Sequence, residues 1–176
     1  PVLKNTGEES GRRPDFSEQE LKKLVEYLPT WVTKGFRKQS RELRELLAIY
    51  IPFIALTGMR PGTETKFLEW RHIEMLPAKT GDAELGLIAY VLKGKTVKKE
   101  KPAATRLPRE CWPVLTRLAE MAPEFEGMSI FDVLKSKSDK FVFRTREGTQ
   151  PNQLTKQFKQ LLTEMNILKC GRTGQD

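Results

Sequence analysis

The chain has 176 residues, 38% hydrophobic and 31% charged, with a formal net charge of +8 and a sequence pI near 9.5. Those values fit one ordinary domain with a modest core. They exclude a membrane-spanning helix within these residues, because no run of about 18 apolar residues occurs, and the polar start predicts no secretory signal.

Residues 1–15 are polar, hold Gly7, Gly11 and Pro14, and read as a linker; the start at Pro1 rather than Met is expected to mark a fragment boundary. A first helix opens at Ser17, where Ser17 and Glu20 form a capping box and Phe16 can staple to Leu21. Leu21, Leu24, Val25 and Leu28 mark its apolar face, and Pro29 should end it. Residues 40–57 predict a second, more buried helix through Leu43, Leu46, Leu47, Tyr50, Phe53 and Ile54, with Pro52 as a kink and Gly58 as the stop. Pro61 suits the first turn of a third helix that turns Phe67, Leu68 and Trp70 to the core.

The periodicity then moves toward two. Residues 71–76, 85–93 and 104–108 predict three strands, the first two joined by a turn around Thr80-Gly81-Asp82. Helices resume near 110–121 and 129–136, Phe141-Val142-Phe143 reads as a short strand, and Asn152–Ile167 is an amphipathic helix with Leu154, Phe158, Leu161, Leu162 and Met165 on one face. The fold class is therefore α+β, a mainly helical body with a small antiparallel three-stranded sheet at its edge.

Charge is distributed in blocks. Residues 93–109 carry +6, residues 135–176 carry +5, and residues 110–134 carry −4. Basic blocks beside acidic ones point to a polyanion footprint, although a lysine-rich hairpin can equally be a solvated loop. The cysteines, Cys111 and Cys170, form no CxxC pair and have only His72 beside them in the metal-ligand inventory. No structural zinc site or disulfide framework is expected, and a reducing, cytoplasmic setting is.

Arg60 is the first candidate for chemistry. It follows Gly58-Met59 at the end of an apolar helix and precedes Pro61-Gly62, with Thr63 and Glu64 nearby to steady its fork. A guanidinium at such a junction suits a phosphate, because it offers bidentate bonds and keeps its charge. The same residue could instead bond helix-end carbonyls or pair with Glu64. Gly94-Lys95-Thr96 does not form a P-loop, since the glycine needed five positions earlier is Ala89, on a strand.

The run Thr57-Gly58-Met59-Arg60, followed by Glu64, Leu68 and Trp70, resembles the first-arginine motif of the tyrosine recombinase (phage integrase) catalytic domain. The family's acid follows the arginine by three residues; here Thr63 holds that place and Glu64 comes fourth. The family's hairpin lysine resembles Lys95 before Thr96, with Lys93 as the alternative. The likeness covers about residues 12–168, so residues 16–176 would be a partial catalytic domain of that fold.

The resemblance implies site-specific recombination or integration of DNA, as in mobile elements, through a 3′-phosphotyrosyl intermediate. Arg60 would stabilise the phosphorane-like transition state and Lys95 would protonate the 5′-oxygen leaving group. Lys93, Thr96, Lys98, Lys99, Lys101 and Arg106 would contact DNA, chiefly its backbone phosphates. No metal or cofactor is implied. The expected partner is double-stranded DNA, with self-association on it in the full-length parent, no membrane, and a nucleoid-associated cytoplasmic location in a bacterial or phage setting. Tyr27, Tyr50 and Tyr90 lie in the wrong segments for the nucleophile, and Met75 stands where a His-x-x-Arg motif from His72 needs arginine. The chain alone is therefore expected to bind DNA without cleaving it. The alternatives are a non-enzymatic DNA-binding module of recombinase-like fold, or an unrelated helical domain whose basic hairpin binds RNA or an acidic protein.

Overall fold

The computed structural model describes residues 16–76, 86–92, 94 and 102–167. The 1–15 linker, the turn at residues 80–82 and the candidate residues Lys93, Lys95, Thr96, Lys98, Lys99 and Lys101 lie outside the described residues.

Helix α1 (Glu18–Thr33) begins as its sequence dictates. The Ser17 hydroxyl accepts from the Glu20 amide at 3.2 Å, and the Glu20 carboxylate accepts from the Ser17 amide at 2.9 Å. Leu24 and Leu28 are buried, whereas Val25 is exposed. The helix does not end at Pro29 but runs one turn further. Proline removes one intrahelical donor, but the next turn carries Trp31, fully buried, whose carbonyl accepts from Arg44 at 2.8 Å. Burying an indole and gaining a charge-assisted bond outweigh one lost backbone bond.

Helix α2 (Lys38–Thr57) is the spine of the fold. Leu46, Ile49 and Phe53 face one apolar cluster, while Leu47 and Ala48 face another. The helix continues through Pro52 to a left-handed cap at Gly58, φ 65°. The expected third helix is only one turn, α3 (Thr63–Lys66), and it starts after Gly62, whose φ of 95° lies outside helical space. Leu68 and Trp70 are buried, as their spacing implied, and Phe67 is half-buried.

Strands β1 (Ile73–Leu76), β2 (Gly86–Val91) and β3 (Ala103–Leu107) form one antiparallel sheet in the order β1-β2-β3. β1 starts late because Trp70–His72 make a 3-10 turn. In β2, Leu87, Ala89 and Val91 point inward and alternate with half-buried Ile88 and Tyr90. Helices α4 (Cys111–Glu120), α5 (Ile130–Lys135) and α6 (Leu154–Glu164) follow. Asn166, at φ 56°, lies just beyond the early end of α6.

Phe141-Val142-Phe143 is not a strand. Phe141 makes a single bridge to Glu69, and the Val142 amide donates to the Leu68 carbonyl. The partner segment is irregular, so no ladder can propagate. The apolar run serves packing instead: the Phe143 ring meets Tyr50 and Phe53 edge-on, at 4.9 and 5.0 Å between centroids.

One core joins α2, the inner face of the sheet, α4 and α5; the second joins α1, α2 and α6. The architecture is thus α+β, with a small three-stranded antiparallel sheet flanked by helices. Among the described residues no helix is long and apolar enough to cross a membrane.

Candidate functional site

The site is built on the turn that follows α2. The Thr57 hydroxyl donates back to the Phe53 carbonyl at 2.8 Å and accepts from the Met59 amide at 3.2 Å. The Gly58 amide bonds the Ile54 carbonyl at 2.9 Å, so the helix end is closed from both sides. Met59 is buried and anchors the chain, and Arg60, the next residue, is exposed. The Arg60 amide donates to Glu64 Oε2 at 2.9 Å. Pro61 and Gly62 then turn the chain into α3, whose buried Thr65 hydroxyl lies 2.7 Å from that of Tyr50. Arg60 is therefore held through its backbone while its side chain reaches solvent. Among the described residues its guanidinium has no ion-pair partner. Such a group can present two donors to one phosphate.

Glu64 occupies a different place from the one its spacing suggested. It accepts from the amide of Arg60, and among the described residues no hydrogen bond or ion pair joins it to the guanidinium. Its carboxylate also defines where the hairpin approaches. A Cβ added to Gly94 would stand 2.7 Å from Glu64 Cγ and 2.9 Å from Oε1. A side chain there would have to displace the Glu64 carboxylate, so glycine at position 94 is what allows this close approach to Glu64. Gly94 is bonded in sequence to Lys93 and Lys95. A glycine in a strand-end run is itself a signal of close approach, yet only the tertiary contact identifies Glu64 as its neighbour.

Thr63 opens α3, is exposed, and makes no side-chain hydrogen bond among the described residues. Arg106 is exposed on β3 opposite Ile88, and its guanidinium lies over Gly86. It therefore occupies the outer face of the sheet, together with Glu74, which pairs with Lys137 at 2.9 Å. That ion pair holds the Glu74 carboxyl below its ordinary value. Two tyrosine hydroxyls are engaged elsewhere, Tyr50 with Thr65 and Tyr27 with Lys34.

Two other titratable groups belong to the scaffold. His72 Nδ1 accepts from the Glu69 amide at 3.1 Å, and burial lowers its pKa despite the Glu69 carboxylate nearby. Cys111 is buried at the start of α4, and desolvation, aided by the charge of Glu110, pushes its thiol up to about 11.

Comparison with protein-family models, curated proteins and solved structures finds no match for this chain. Its candidate chemistry therefore rests on the geometry above and on the motif around Arg60.

Proposed function

We propose that this chain is part of a site-specific DNA recombinase or integrase of the tyrosine type and shares that catalytic-domain fold. In this reading Arg60 binds the scissile phosphate, and one of the lysines flanking Gly94 serves the leaving oxygen. The observation that supports it most is the contact of Gly94 with Glu64, the same carboxylate that fixes the Arg60 backbone. Two parts of the chain singled out separately, the arginine turn and the lysine-bearing end of β2, thereby meet at one side chain.

The chemistry follows from charge. In-line attack on a phosphodiester builds negative charge on the non-bridging oxygens, and a guanidinium carried on a fixed backbone can stabilise it once the bound phosphate orders the side chain. The attacking tyrosine would come from outside this chain, and transfer through it would conserve the bond for rejoining. Alone, the 176-residue chain would bind duplex DNA in a salt-dependent way and leave it uncut.

A nicked suicide substrate tests this reading, with the covalent protein–DNA adduct resolved on a denaturing gel. The full-length parent should form the adduct, and Arg60→Ala should reduce its rate on the order of 100-fold or more. A parent that forms no adduct defeats the enzyme assignment. An adduct formed by the 176-residue chain alone defeats the claim that it cannot cleave. An Arg60→Ala parent with intact function points instead to a non-enzymatic DNA-binding module.

A further inference from the structure

We propose that the turn between α1 and α2 is a second nucleic-acid contact, in which the Phe36 ring stacks on an unpaired base while Arg37, Lys38 and Arg41 hold the adjoining phosphates. This surface shares the partner class of the reading above but not its site.

Phe36 is 102% exposed, the most exposed of the large apolar side chains described. The turn that presents it is built rather than frayed. The Gly35 amide bonds the Val32 carbonyl at 3.2 Å, the Arg41 amide bonds the Arg37 carbonyl at 2.9 Å, and the Arg41 guanidinium reaches the Gly35 carbonyl at 3.4 Å. Gly35 is buried against α2, where an added Cβ would meet Arg41 Cα at 3.1 Å. Gly35 is thus packed inward while Phe36, the next residue, is fully exposed.

The charge within the turn has one sign. Residues 34–41 hold four cations, Lys34, Arg37, Lys38 and Arg41, and no acid. The nearest acids in sequence are engaged: Glu42 accepts from the Arg146 amide, and Glu45 pairs with the Arg146 guanidinium. Lys34 is bonded to Tyr27, but among the described residues no acid pairs with Arg37, Lys38 or Arg41. An isolated surface phenylalanine needs no explanation in itself. A fully exposed ring on a hydrogen-bonded turn, among cations without acid partners, combines a stacking platform with phosphate donors, which is the chemistry of single-stranded nucleic-acid binding. An acidic protein surface would satisfy the cations but would offer no partner of this kind to the ring face. The turn and Arg60 lie at opposite ends of α2, roughly 30 Å apart for a helix of this length.

Salt-titrated fluorescence anisotropy of the 176-residue chain tests this, using a labelled single-stranded oligonucleotide and a blunt duplex of the same sequence. Phe36→Ala and Phe36→Leu should both weaken single-strand binding by about 5- to 100-fold. Duplex binding should change by less than about 2-fold, and the salt slope should stay the same. Joint replacement Arg37→Gln and Lys38→Gln should instead reduce the single-strand salt slope by about 1.4. Wild-type affinity in Phe36→Ala overturns the proposal. So does retention by Phe36→Leu, which would mean a merely apolar contact, or competition by polyglutamate as strong as by unlabelled oligonucleotide, which would assign the turn to an acidic protein. Arg60→Ala should leave the Phe36 effect intact, so failure of the recombinase reading and failure of this one are separable.

Discussion

Arg44 and Arg60 stand at the two ends of one helix and show what an arginine looks like in two different jobs. Arg44, in the second turn of α2, is buried; its guanidinium donates to the Trp31 carbonyl, lies 4.4 Å from the centroid of the Trp31 ring, and faces Glu164 at 3.8 Å. It ties α1 and α6 to α2, and its Nε finds no partner. Arg60, two residues past the cap of α2, has its backbone fixed by Glu64 and its guanidinium in solvent. Charge alone does not distinguish them. What does is where the donors point: those of Arg44 are enclosed within the fold, and those of Arg60 are open to a ligand.

The largest expected effect tests that contrast directly. Arg44→Ala should lower the unfolding free energy by about 2–4 kcal/mol, because it removes a charged hydrogen bond and leaves a void against a buried indole. Arg60→Ala should shift it by no more than about 0.5 kcal/mol. Urea unfolding followed by tryptophan fluorescence measures both; equal losses would erase the distinction between a structural and a ligand-facing arginine.

A smaller effect sharpens the Arg60 side. Gly94→Ala should destabilise by about 1 kcal/mol, since its Cβ would drive Glu64 away from the Arg60 amide. Glu64→Ala removes the obstruction, so the double variant should be less destabilised than the two single losses added together. Simple additivity would mean that Gly94 and Glu64 do not meet in solution.

The smallest effect concerns the scaffold under the sheet. His72 has a folded pKa below the ordinary value of 6.5, so the unfolded chain binds the proton more readily. Its contribution is complete above pH 6.5 and is lost as pH falls below that value. Protonation of Nδ1 would also remove the acceptor that the Glu69 amide uses. Denaturant midpoints should therefore decline modestly from pH 7 to pH 5, and His72→Asn should flatten that decline. An unchanged slope in the variant would exclude His72 as its source.

Much of the fold was legible wherever a local rule had no tertiary competitor. The Ser17–Glu20 box, the Gly58 stop and the alternation in β2 all follow from dihedral limits and side-chain spacing. The misses share one cause. Pro29 was overruled by the burial of Trp31 and the bond of its carbonyl to Arg44, and Phe141–Phe143 met an irregular segment instead of a strand; in both cases the deciding contact comes from residues remote in sequence. At the candidate site, Arg60 was legible from its junction. The attachment of Glu64 to the Arg60 amide and of Gly94 to Glu64 was not, because Gly94 and Glu64 are thirty positions apart in the chain.

The sequence by itself determined the α+β order of elements, the apolar faces of most helices, the basic character of the 93–109 segment and the candidacy of Arg60, because periodicity, turn chemistry and charge are local properties. Only the tertiary structure decided which arginine is buried and which is open, that Phe36 is fully exposed, and that Gly94 reaches Glu64. Those outcomes depend on how segments far apart in sequence exclude one another from the same space, and close packing, unlike periodicity, is a property of the whole chain.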